Sequence, residues 1–92
     1  MFKNLPKKII LAIFLLKSIN TNISLKLINS IIYLWREFYI SVRIIPKIEY
    51  FTVCFNYKDI LLKQIKTKDL KDIVKISEEI KTIGVEKNHD RK

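Results

Sequence analysis

Side chains able to act on a substrate are few and scattered in this 92-residue chain. Its acids come close together only as Glu78-Glu79 and as Asp69 with Asp72. General acid/base work needs such groups in a cleft that shifts their proton affinity. Here they lie on a helical pattern with Lys71 close by and with Lys75 and Lys81 three or four residues away, the spacing of solvated ion pairs. Cys54 is the single cysteine and His89 the single histidine, so neither a disulfide framework nor a Cys/His metal set nor a Ser/His/Asp arrangement has its members within local spacing. Gly84 is the single glycine, and loops that cradle phosphate need several. The expectation is a non-enzymatic chain with no cofactor and no metal.

The chemistry that the composition does supply is cationic. The formal net charge is +9, and it is uneven. Residues 1–46 carry seven basic residues, Lys3, Lys7, Lys8, Lys17, Lys26, Arg36 and Arg43, against one acid, Glu37, while residues 47–92 carry eleven against eight. A nearly acid-free basic surface attracts polyanions through counterion release without reading sequence, and it attracts anionic lipid headgroups by the same electrostatics. Eight of the ten aromatic residues fall between Tyr33 and Tyr57. Rings beside a cation on a sheet are a common way to hold single-stranded nucleic acid, so Tyr39 and Tyr50, placed with Arg43 on one strand face, are the candidate stacking residues.

Around these residues the pattern predicts an α+β chain with two N-terminal helices, an antiparallel sheet of two or three strands, and a C-terminal helix packed on the sheet. Residues 1–85 form one small domain, and residues 86–92 read as a charged tail. The apolar run Ile9 to Leu16 follows Lys7 and Lys8. It is read first as an ordinary buried or interfacial helix entered through Pro6. A signal peptide lacks its small-residue cleavage site here, and a membrane span would need roughly 20 apolar residues. Asn20-Thr21-Asn22 breaks the pattern, with Thr21 or Asn22 able to cap a second helix whose stripe is Leu25, Ile28, Ile31, Ile32 and Trp35. Were the break only a polar patch, residues 7–36 would form a single helix.

Two alternating runs follow. Phe38, Ile40, Val42 and Ile44 interleave with Tyr39, Ser41 and Arg43, and Phe51, Val53, Phe55 and Tyr57 interleave with Tyr50, Thr52, Cys54 and Asn56. They predict two strands joined by a bend at Pro46. Ile60 to Lys66 is read as a third strand in preference to the first turns of a helix, although Leu61-Leu62 breaks its alternation. The final helix is expected to be capped by Thr67, to bury Leu70, Ile73, Val74, Ile80 and Ile83, and to end with Gly84 as the left-handed residue.

The function these features predict is a small basic subunit of a larger assembly, an RNA-binding component of ribosomal type, with protein subunits around it and a cytoplasmic or organelle-interior location. Two alternatives stand beside it. One is an accessory protein held at an anionic membrane by the N-terminal apolar segment. The other is a small regulator or inhibitor of a nucleic-acid enzyme.

Overall fold

In a computed structural model, residues 5–90 are described, with side chains through Ile83. The order is α1 (Lys7–Ile19), α2 (Asn22–Phe38), β1 (Ile40–Pro46), β2 (Phe51–Tyr57), β3 (Ile60–Thr67) and α3 (Leu70–Asp90). The fold is α+β, with the strands forming one antiparallel sheet in the order β1-β2-β3.

The polar break at residues 20–22 separates two helices. Asn20 takes the left-handed conformation (φ 49°) and its N–H donates to the Leu16 carbonyl, the C-terminal role in which a short polar side chain is tolerated. Thr21 then caps α2. Its hydroxyl accepts from the Ser24 N–H at 3.1 Å, and Ser24 Oγ accepts from the Thr21 N–H at 2.7 Å, which satisfies two otherwise orphaned donors. The two expected helices are therefore formed, and the alternative of a single helix over residues 7–36 is not.

α2 runs on to Phe38, further than its sequence pattern indicates. The expected stripe is rotated: Ser24, Leu27, Ile28, Ser30, Ile31 and Leu34 are buried, Ile32 and Trp35 are half-buried, and Leu25 is exposed. The helix passes between α1, β1 and α3, so its buried arc is wider than one stripe. Phe38 closes the helix instead of opening a strand, its ring edge-on to Tyr33 at 5.9 Å. Tyr39 follows in the left-handed region (φ 56°), a conformation costing roughly 1–2 kcal/mol for a residue with a Cβ.

The three helices cover one face of the sheet. Ile40, Val42 and Ile44 of β1 and Val53 and Phe55 of β2 point into a single core with Ile9, Ile13, Leu16, Leu27, Ile31, Leu34 and Ile73. Registers Val42↔Phe55 and Ile44↔Val53 set these side chains opposite one another, where cross-strand pairs interact most strongly. Between β1 and β2 the loop Lys47–Tyr50 is closed by the Lys47 N–H donating to the Tyr50 carbonyl at 2.8 Å. Pro46 is the last residue of β1, so the bend it predicts begins one position later. Ile60–Thr67 is a strand, and its broken alternation is a bulge. The register slips between Phe55 and Asn56, leaving Leu62 as the extra residue on β3.

Three details of α3 differ from expectation. Asp69, rather than Thr67, is its cap, since Asp69 Oδ1 accepts from the Lys71 N–H at 2.9 Å. Thr67 ends β3 and braces the junction, accepting from the Asp69 N–H and donating to the Asp72 carboxylate. The helix also continues through Gly84 to Asp90 instead of stopping there. An interior glycine costs about 1 kcal/mol relative to alanine without breaking a helix, and no proline follows to enforce a stop. Of the expected stripe, Leu70, Ile73 and Val74 are buried and Ile80 half-buried, whereas Ile83 is exposed. No helix among the described residues is long and apolar enough to cross a membrane.

Candidate nucleic-acid interface

With the helices on one face, no element among the described residues covers the other face of the sheet. Strand alternation and register assign its residues in rows across the three strands. Ser41, Asn56 and Leu61 form one row, Arg43, Cys54 and Gln64 the next, and Ile45, Thr52 and Lys66 the third. Arg43, Gln64 and Lys66, on the outer strands, are exposed, while Thr52, Cys54 and Asn56 on the central strand are sheltered by their neighbours. No aspartate or glutamate occurs in any of the three strands.

Most of the polar side chains on this face are unused among the described residues. Ser41, Arg43, Thr52, Asn56 and Gln64 form no side-chain hydrogen bond or ion pair among the described residues. Asn56 Oδ1 is enclosed without any donor among the described residues, and an unmet acceptor of that kind costs roughly 1–3 kcal/mol. Lys66 lies over the Tyr50 ring, its Nζ 6.0 Å from the centroid, a cation-π arrangement worth about 0.5–1 kcal/mol at an exposed site. The result is a mildly cationic surface, rich in donors and acceptors, with one half-buried ring at its margin.

The residues singled out from sequence are not brought together on this surface. Arg43 belongs to it. Tyr50 stands at its edge beside Lys66 rather than beside Arg43. Tyr39 does not: the left-handed turn at that position breaks strand parity and sets its ring edge-on to Trp35 of α2, 5.8 Å away. Lys7, Lys8 and Lys17 are exposed on α1, and Lys26 and Arg36 on α2, so they belong to the helical layer. Lys3 lies outside the described residues. Gln64 and Lys66, which sequence reasoning missed, complete the face. Their signal was the period of two in β3, obscured by the Leu62 bulge.

Three of the four neighbouring acids, Glu78, Asp69 and Asp72, have partners within the chain. Glu78 pairs with Lys81 at 3.3 Å, and Lys81 also donates to Ser30 Oγ at 3.1 Å and lies 5.0 Å from the Tyr33 ring centroid, joining α3 to α2. Asp69 caps α3 and Asp72 accepts from Thr67. Among the described residues no group of three or more His, Cys, Asp and Glu is placed to hold a metal ion. The side chain of His89 lies outside the described residues. Comparison with known families, curated proteins and solved structures gives no match to this chain.

Proposed function

We propose that the chain is a small, basic, non-catalytic subunit of a larger assembly that binds RNA through the uncovered face of its sheet. One observation carries this reading. The face presents Lys66, set over the Tyr50 ring, beside five polar side chains, Arg43 among them, that have no side-chain hydrogen bond or ion pair among the described residues, in three strands that contain no acid. Cations on such a surface neutralise phosphates, while Ser41, Thr52, Asn56 and Gln64 offer hydrogen bonds to sugar and base edges. Tyr50, with Lys66 on its ring, gives one base a place to stack at the margin. A wider aromatic platform is not supplied, because Tyr39, although exposed, is set edge-on to Trp35 of α2 and away from Arg43 and Tyr50. The affinity is therefore expected to be chiefly electrostatic and weakly selective for sequence.

The test is salt-dependent co-sedimentation with single-stranded RNA, followed by photo-crosslinking and mapping of the crosslinked peptides. The proposal requires nuclease-sensitive complexes with crosslinks in residues 40–67. Crosslinks confined to α1 and α2 would overturn the assignment of the face. A complex with a protein that survives nuclease would replace RNA binding with the regulator reading.

A further inference from the structure

The helical layer carries a second surface with a different chemistry. The inward arc of α1 is Ile9, Ala12, Ile13 and Leu16, all buried. Its outward arc also carries large apolar side chains: Leu11 is 58% exposed and Phe14 57% exposed, flanked by half-buried Ile10 and Leu15, with Ser18 following one turn on, its hydroxyl donating to the Leu15 carbonyl. A helix that is apolar all round normally has cover on every side. Lys7 and Lys8 stand at one end of this arc and Lys17 at the other, all exposed, and α1 contains no acid.

We propose that the outward arc of α1 docks flat on an anionic lipid surface, with Leu11 and Phe14 entering the headgroup boundary and Lys7, Lys8 and Lys17 on lipid phosphates. Charge argues against a second copy as the occupant. Antiparallel packing of two α1 helices would set Lys7 and Lys8 beside the other copy's Lys17, and parallel packing would set like ends together, so either orientation opposes like charges. Size and shape argue against a specific protein partner. Two exposed and two half-buried side chains on a convex helix offer far less than the roughly 800 Å² per partner that such an interface buries. A lipid film needs no matching groove. It accepts a convex apolar arc in the interface plane, and lysine stems reach back to the headgroups. The 13-residue helix spans about 20 Å, too short to cross the hydrocarbon but sufficient to lie in its surface. This surface is separate from the sheet face and does not depend on the RNA reading.

The experiment is flotation of the full chain, treated with nuclease, with vesicles of phosphatidylcholine alone and with vesicles containing about one third phosphatidylglycerol. Binding to the anionic vesicles, weakened by salt and absent on neutral ones, is expected. The Leu11→Ser/Phe14→Ser variant, its helicity checked by circular dichroism, should lose roughly tenfold or more in partitioning, and Arg43→Ala/Lys66→Ala should partition like the parent. Failure of the parent to float with anionic vesicles overturns the proposal and returns α1 to a protein occupant. Equal flotation of the serine variant and the parent also overturns it, because attachment would then be electrostatic alone.

Discussion

Replacing Arg43 and Lys66 together by alanine isolates the electrostatic share of the sheet face. The two side chains stand on the outer strands, two strand spacings apart and two residues out of register, which separates their backbones by about 12 Å, so each meets its own phosphate. Each phosphate contact to a single strand contributes about 0.7 to the slope of log K against log salt. Losing two lowers the slope by about 1.4, which corresponds to roughly 25-fold in affinity at 0.1 M salt. Between 50 and 200 mM salt, the parent should therefore lose about sevenfold more affinity than the variant. Neither side chain has an ion pair among the described residues, and both are exposed, so stability should change by no more than about 0.5 kcal/mol for Arg43 and by about 0.5–1 kcal/mol for Lys66, which also gives up the Tyr50 ring. Fluorescence anisotropy with a labelled single-stranded RNA, repeated over that salt range, measures the slope. If the double variant keeps the parent's slope while Lys7→Ala/Lys8→Ala loses it, the contact lies on the helical layer and the reasoning about the sheet face is wrong.

Phe55 is fully buried at the centre of β2, and Phe55→Ala should cost about 3–5 kcal/mol in chemical denaturation; a loss below about 1 kcal/mol would mean that the core does not close over the sheet as described. Thr21→Ala removes one half of the cap of α2 and should destabilise by about 1 kcal/mol, whereas Thr21→Asp should restore most of it in the same denaturation series. Gly84 lies inside α3, so Gly84→Ala should stabilise the chain by up to about 1 kcal/mol. A fall in melting temperature would instead indicate a left-handed helix terminus at that position. Lys81→Met severs the contacts to Ser30, Glu78 and Tyr33 and should lower stability by about 0.5–1.5 kcal/mol, with faster amide exchange in α3 than in the sheet.

Elements whose instructions are local were legible in the sequence. The alternation of Val42, Ile44, Val53 and Phe55 places them on one strand face whatever lies above it, because the strand period is two and admits no other arrangement. The capping at Thr21 is equally local, since its partner Ser24 is three residues away. The absence of a glycine-rich loop is likewise a matter of composition. Tertiary packing decided the rest. Phe38 and Tyr39 fit a strand by alternation, yet contacts across α2 draw Phe38 into the helix and force Tyr39 into a left-handed turn, which removes the ring from the sheet face. Which arc of α2 is buried depends on three neighbouring elements at once, so Leu25 points outward although its spacing suits the stripe. The surface proposed for RNA also emerges only in three dimensions. Arg43 and Lys66 are 23 positions apart, and they share a face because two registers and one bulge set the phase of β3 against β1. No single stretch of the chain encodes that phase, whereas hydrogen bonding across the whole sheet does.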